Sequence, residues 1–180
     1  VANTVRERVN LPLGICVLWN DYKSSLAIAK VVGANFVRIP VFTEAVVTSC
    51  GIVEGNPYDA ITFRNKIKAG EIAILADVQV KHAAPLAQRP IPESAQEAIH
   101  FGADELIITG RFTGDCPNIE ELRKVREACP RATIVIGSGT TPKNYHDLAK
   151  YADKAIVGTY FKPEGKMILS RVKEITSLRG

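Results

Sequence analysis

The sequence predicts an α/β fold of the (β/α)8 TIM-barrel type, a single domain over residues 1–180 with about six βα units. Three observations predict it. Short apolar runs alternate with helical stretches, and the runs are apolar on both faces, as in a parallel sheet covered on both sides. A helix stop followed by a short polar turn recurs at Gly33-Ala-Asn-Phe-Val, Gly102-Ala-Asp-Glu-Leu and Tyr151-Ala-Asp-Lys-Ala, so one supersecondary unit is reused. Two late runs, Ala132 to Asn144 and its echo Lys154 to Thr159, each end abruptly in small residues. Consecutive strands of this kind match the phosphate site after the seventh and eighth strands of a barrel. No Gly-x-Gly-x-x-Gly follows the first strand, which argues against a nucleotide-binding open sheet.

Taken in order, Val5 and Val9 share a helical face, Asn10 closes that helix and Pro12 forbids its continuation. Leu13 to Leu18 reads as the first strand, and Tyr22 to Val32 as a helix stopped by Gly33. Phe36 to Val41 is the second strand. The connection from Phe42 to Tyr58 is long and moderately apolar, which predicts an ordered, functional loop. A helix over Asp59 to Lys68 leads to the strand Ile72 to Val78 and the loop Lys81 to Pro85. Pro92 opens a helix that ends at Gly102, Glu105 to Thr109 is a strand, and Ile119 to Ala128 is a helix. Thr133 to Ile136 is a buried strand, followed by a turn at Gly137, Ser138 and Gly139 too crowded for larger side chains. Pro142 suits the first turn of a helix from about Lys143 to Tyr151. Ile168 to Leu178 is the closing helix. A closed barrel has eight strands and about 250 residues, so two N-terminal units are expected to be missing. A six-strand arc is expected to expose two long edges.

Hydrophobic residues make up 46% of the chain, enough for one sizeable core. The net charge of +4 comes from 23 basic and 19 acidic residues without a basic run, so nucleic acid is not an expected partner. No apolar run is long enough to span a membrane. The N-terminal residues lack the apolar core of a signal peptide, and a cytoplasmic location is expected. Cys16, Cys50, Cys116 and Cys129 show no C-x-x-C spacing, so reduced thiols are expected rather than a zinc site.

The candidate site residues follow from the ends of the strands. Gly137, Ser138, Gly139, Gly158 and Thr159 are expected to cradle a phosphate through backbone N–H groups; the plain alternative is that the glycines only permit tight turns. Asp77 lies near the C-terminal end of its strand, where catalytic residues of such barrels gather. Its apolar flanks raise its pKa unless a cation sits nearby, and Lys81 and Arg38 are the candidates. A structural ion pair is an equal reading. Arg38 interrupts a buried strand and needs a partner. Lys81 and His82 are adjacent, so an extended segment points only one of them at the site. His82 can move a proton near neutral pH. Lys81 can pair with a phosphate or carboxylate, while a Schiff base needs a desolvated amine that the sequence does not display. Asn20 and Asp21 end the first strand and either contact ligand or cap the next helix, capping being the commoner use. Glu54 is an acid/base or lid candidate in the long loop, and Thr109 a hydroxyl lining the mouth. No metal triad or other cofactor is expected, with magnesium held by Asp77, Asp21 and Glu54 a minor possibility.

Several blocks also resemble a known family. They are Leu18-x-Asn20-Asp21, Thr43-x-Ala-Val-Val-Thr-x-x-Gly51-Ile-x-Glu54-Gly55, Ile74-Leu-Ala-Asp77-Val-x-Val-Lys81-His82-Ala, Val135-x-Gly-Ser-Gly139-x-Thr-Pro-x-Asn144 and Val157-Gly-Thr159. Together they resemble the BtpA/SgcQ family over nearly the whole chain, the Asp77 to His82 block being the most specific. The resemblance implies a (β/α)8 barrel and, for some members, a factor for photosystem I accumulation. Others carry a nucleosidase label and lie among sugar-related genes. The joint expectation is a phosphate-binding barrel enzyme for a small phosphorylated sugar or nucleoside, nucleosidase-like or a sugar-phosphate lyase or isomerase, and a homo-oligomer. The alternative is a non-catalytic assembly factor of the photosystem I type, peripheral on the cytoplasmic face of a membrane.

Overall fold

The computed structural model describes residues 1–178. Helix α1 (Ala2–Arg6) is followed by β1 (Gly14–Ile15), α2 (Tyr22–Val32) and β2 (Phe36–Ile39). A hairpin follows, β3 (Ala45–Thr48) and β4 (Gly51–Glu54), then α3 (Pro57–Lys66), β5 (Ala73–Val78) and β6 (Ala83–Pro85). The remainder is α4 (Ile91–His100), β7 (Glu105–Ile108), α5 (Ile119–Ala128), β8 (Thr133–Ile136), α6 (Tyr145–Leu148), β9 (Lys154–Ala155) and α7 (Leu169–Thr176). Two 3-10 turns, Thr159–Phe161 and Pro163–Gly165, lie between β9 and α7.

Six parallel strands form one sheet in the order β1-β2-β5-β7-β8-β9. The order follows the chain and never reverses. Crossovers of one hand therefore carry the connecting helices α2 to α6 to the same face, as in a barrel wall and unlike a doubly wound sheet. The two faces differ accordingly. Val37, Ile39, Ile74, Ala76, Leu106, Ile108, Ile134 and Ile136 point outward into the main core, packed with Leu26 of α2, Ala95 and Ala98 of α4, and Leu122 and Val125 of α5. Each large aliphatic side chain buried there contributes roughly 1.5–3 kcal/mol. The inner face holds a smaller cluster, Leu75, Ile107 and Val135 with Phe36 and Ala73 beside them. This is an α/β fold with a six-stranded parallel half-barrel.

Several sequence expectations shift. The first and last strands shorten to two residues each, so the sheet edges are short rather than long. The loop from Phe42 to Tyr58 contains the β3–β4 hairpin, and β6 adds to it as a separate antiparallel sheet in the order β4-β3-β6. The β-branched run Ala45-Val-Val-Thr48, the turn at Ser49-Cys50 and the run Gly51-Ile-Val-Glu54 are a hairpin signal that the loop reading missed. The helix expected from Lys143 to Tyr151 is the single turn α6.

The recurring turn has a physical role beyond stopping a helix. The side chains of Asn35, Asp104 and Asp153 accept hydrogen bonds from the backbone N–H groups of Leu13, Ile74 and Ile134, at 2.9, 2.8 and 2.8 Å. Each also meets an arginine of an earlier helical unit: Arg6, Arg64 and Arg126. One carboxylate or amide thus ties each of three strand starts to the outer helical layer. Asp104→Ala removes the acceptor for the Ile74 N–H and the partner of Arg64, and is expected to cost about 1–3 kcal/mol in urea denaturation.

Candidate functional site

Strand alternation sends Arg38 of β2 and Asp77 of β5 to the inner face, near the C-terminal ends of neighbouring strands. Arg38 donates from Nε to Asp77 Oδ1 at 2.7 Å and from Nη2 to Oδ2 at 2.6 Å. The Asp77 side chain is completely inaccessible, and that of Arg38 is 22% exposed. Burial pushes the Asp77 carboxyl up, opposed by the Arg38 hydrogen bonds and by the nearby charges of Arg38 and Lys81. Two charge-assisted bonds in a planar fork are the arrangement in which a carboxylate stays ionised inside a protein. Both oxygens are committed to Arg38 and neither is accessible, so Asp77 stands as the counter-ion that orients Arg38.

The segment after β5 carries Lys81 and His82. Gln79 and His82 both adopt left-handed backbone conformations, φ 52° and 60°. Such residues cost about 1–3 kcal/mol each and persist only where surrounding contacts enforce them. Here Gln79 is held by Glu44, Arg89 and Ser94, and His82 by a bond from its N–H to the Arg111 carbonyl. The positive φ at His82 breaks the extended alternation. Contrary to the sequence expectation, both Lys81 and His82 line one open groove of about 1310 Å³, together with Thr109, Asp115 and Cys116. His82 Nε2 lies 2.9 Å from Thr113 Oγ1. Thr109 brings a buried hydroxyl with no partner among the described residues. Burial lowers the Lys81 ammonium below the usual lysine range and the Arg38 charge adds to this, against the pull of Asp77 and Asp115.

A second cavity, of about 330 Å³, lies where the segments after β7, β8 and β9 meet. Gly114, Gly139, Thr140, Thr141, Gly158 and Thr159 line it, with Arg171 of α7. Among the described residues the amides of Gly139, Thr140 and Gly158 donate to no protein acceptor. Thr140 is 3% exposed and its hydroxyl has no partner among the described residues. Arg171 donates to the Tyr160 carbonyl at 3.1 Å and pairs with no carboxylate among the described residues. Gly139 has φ 74°, and a Cβ there would lie 2.2 Å from the Cys116 nitrogen, so only glycine allows this approach. At Gly158 a Cβ would meet nothing within 4 Å.

Two of the expected cradle residues, Gly137 and Ser138, line neither cavity. Gly137 donates its N–H to the Ile108 carbonyl at 2.8 Å, continuing the sheet ladder. Ser138 is buried and donates its hydroxyl to the Asp115 carbonyl at 2.6 Å, pinning the two loops together. The free amides belong to turn residues and owe nothing to a helix dipole, since α6 is only one turn long. Asn20 is likewise consumed, bonding both N–H and C=O of Val41. Asp21 caps α2, accepting from the Ser24 N–H, and hydrogen bonding from Ser24, side chain first and backbone second, holds its carboxyl below the usual aspartate range. Glu54 stands exposed on strand β4 and lines neither cavity. Asp77, Asp21 and Glu54 are therefore not assembled into a magnesium site, and no group of three His, Cys, Asp or Glu at metal-binding separation occurs among the described residues. No local sequence signal marks Asp115, Thr140 or Arg171 as lining these cavities. Arg171 is the third residue of α7, and only the fold returns it to the cavity.

A model of the BtpA family matches residues 1–178. The chain belongs to the BtpA family. Among its relatives is the photosystem I biogenesis protein BtpA of Synechocystis, 37% identical over 168 residues, covering 93% of this chain and 58% of that protein. An uncharacterized protein of Pyrococcus furiosus is 38% identical over 93% of this chain and 63% of its own length. One of Methanocaldococcus jannaschii is 36% identical over 99% and 69%. The chain thus spans about three-fifths to two-thirds of the length of these BtpA relatives. Among solved structures, thiamine phosphate pyrophosphorylase from Pyrococcus furiosus superposes with a TM-score of 0.65 at 18% identity, covering 98% of this chain and 73% of that one. Phosphoribosyl anthranilate isomerase from Thermococcus kodakaraensis gives 0.65 at 12% identity, over 99% and 80%. These likenesses concern the fold: the BtpA half-barrel follows the wall of barrel enzymes. No helix among the described residues is long and apolar enough to cross a membrane.

Proposed function

We propose that the chain forms the phosphate-binding side of a (β/α)8 barrel enzyme that acts on a small phosphorylated sugar or nucleoside. The cavity between the segments after β8 and β9 carries this reading. It combines free backbone amides, a buried hydroxyl and a guanidinium with no carboxylate partner among the described residues, the donor set that a phosphate dianion satisfies. The phosphorylated ligands named for thiamine phosphate pyrophosphorylase and phosphoribosyl anthranilate isomerase agree with it. The groove bearing Lys81, His82 and Asp115 receives the rest of the ligand, and the loop at Gly114 and Asp115 is the wall shared by both spaces. Closure of the barrel falls to two further strand–helix units at the β1 and β9 edges, from a longer chain or from a second copy. The reaction class that suits a sugar-phosphate ligand here is that of a lyase, isomerase or nucleosidase in the cytoplasm.

Thermal unfolding with inorganic phosphate and with sugar phosphates tests this. Ligand at a hundred times its Kd adds about 2.7 kcal/mol, a shift of several degrees. Thr140→Val is expected to leave the unliganded protein as stable or about 1 kcal/mol more stable, because it removes an unsatisfied buried hydroxyl. The same variant is expected to lose most of the phosphate-induced shift. No shift with any phosphorylated compound would sink the reading.

A second reading rests on the likeness to the Synechocystis protein: an assembly factor, peripheral to a membrane, in which neither cavity turns over a substrate. Relatives from Pyrococcus and Methanocaldococcus are equally similar, so that likeness alone gives it no advantage. It predicts that Thr140→Val and Lys81→Gln both complement a deletion strain fully.

A further inference from the structure

Lys81 is set apart from the other cations of the inner face. Arg38 spends its fork on Asp77, and Lys154 reaches Glu105 at 2.5 Å. Lys81 makes no ion pair and no hydrogen bond among the described residues, though it is half-buried in the wall of the large groove. A cation normally held in such a place has a carboxylate against it. The backbone here is forced into two left-handed residues, Gln79 and His82, on either side of it, and that conformation presents an unpartnered amine to the groove. Burial and the Arg38 charge both favour the neutral amine over ammonium. The carboxylates of Asp77 and Asp115 remain close enough to act on its charge.

From this geometry we infer that Lys81 is a nucleophile that forms an imine with the carbonyl carbon of an open-chain sugar phosphate or related phosphorylated aldehyde or ketone. The substrate class rests on the phosphate reading above; the amine chemistry stands on the groove. The free Lys81 Nζ attacks the carbonyl carbon, and the carbonyl oxygen takes a proton to give a carbinolamine. A second proton transfer releases that oxygen as water. The sum is one amine, one carbonyl compound and one proton giving a protonated imine and water. His82, which lines the same groove with its Nε2 on Thr113, is placed to relay the protons. The positive charge that develops on nitrogen lies in the field of Asp77 and Asp115. A protonated imine withdraws electrons from the adjoining carbon, so a C–H or C–C bond there becomes breakable, which is lyase or isomerase chemistry.

Reductive trapping on the full chain tests the assignment, with cyanoborohydride as reductant and dihydroxyacetone phosphate and dihydroxyacetone as paired probes. Peptide mapping is expected to find roughly tenfold more adduct on Lys81 than on exposed Lys143, and faster trapping of the phosphorylated probe. K81R is expected to melt like the parent and lose the adduct, and K81Q serves the same end if the arginine disturbs the groove. Adduct spread evenly over surface lysines, or absent from Lys81 while phosphate still raises the melting temperature, overturns the imine and leaves the phosphate cavity standing. Equal trapping of both probes on Lys81 upholds the imine and removes the phosphate from the substrate.

Discussion

Arg38→Met is expected to destabilise the protein by about 3–5 kcal/mol, because it strands a fully buried carboxylate without its cation. Urea denaturation at neutral pH measures this. The loss has a defined pH dependence. Burial already pushes the Asp77 carboxyl up, and removing the guanidinium pushes it further. The folded variant then binds a proton at pH values where the unfolded chain has released it. Stability therefore falls as pH rises from the ordinary aspartate range through the raised value, and is recovered on acidification. Urea midpoints near pH 4.5 and pH 7.5 should separate by roughly the lost ion-pair energy in Arg38→Met, and much less in the parent. Pairing Arg38→Met with Asp77→Leu should restore most of the stability, since an apolar pair of similar volume replaces an ion pair at little net cost. If the single variant is as stable as the parent at neutral pH, Asp77 is not a buried charge.

Gly158→Glu is expected to abolish phosphate binding while leaving the fold intact. A Cβ at this position meets nothing within 4 Å and the backbone φ is −126°, so neither clash nor left-handed strain arises. The carboxylate enters the small cavity, where like charges set against one another cost several kcal/mol. That is more than a hundredfold in Kd. Isothermal titration with inorganic phosphate should show no binding, and the unliganded melting temperature should stay within about 2 °C of the parent. Retained affinity would place the anion elsewhere.

How much of this was legible beforehand depends on the range of the interaction. Strand β8 and helix α5 fall where the pattern put them, because their apolar positions and the Asn118 cap are local signals. The Arg38–Asp77 pair was one of two readings of a charged residue in a buried strand, and the β2–β5 register chose it. The hairpin β3–β4 carries its own local signal, but its place beside β6, which lies some thirty residues further along the chain, is set only by packing. Gly137 and Gly158 look alike in the sequence. One donates into the ladder and the other faces open space, a difference that depends on which carbonyl stands opposite.

By itself the sequence determined the class of fold, the alternation that sends Arg38 and Asp77 inward, and the pair of small-residue turns after the last strands. Those are properties of period, propensity and steric size along a short stretch. Only the tertiary structure decided which amides are left free, which carboxylate is locked, that Lys81 stands unpartnered and that Arg171 returns to the cavity. Each of these is a matter of hydrogen-bond supply and charge pairing between residues distant in the chain, and such accounting closes only when the elements are packed.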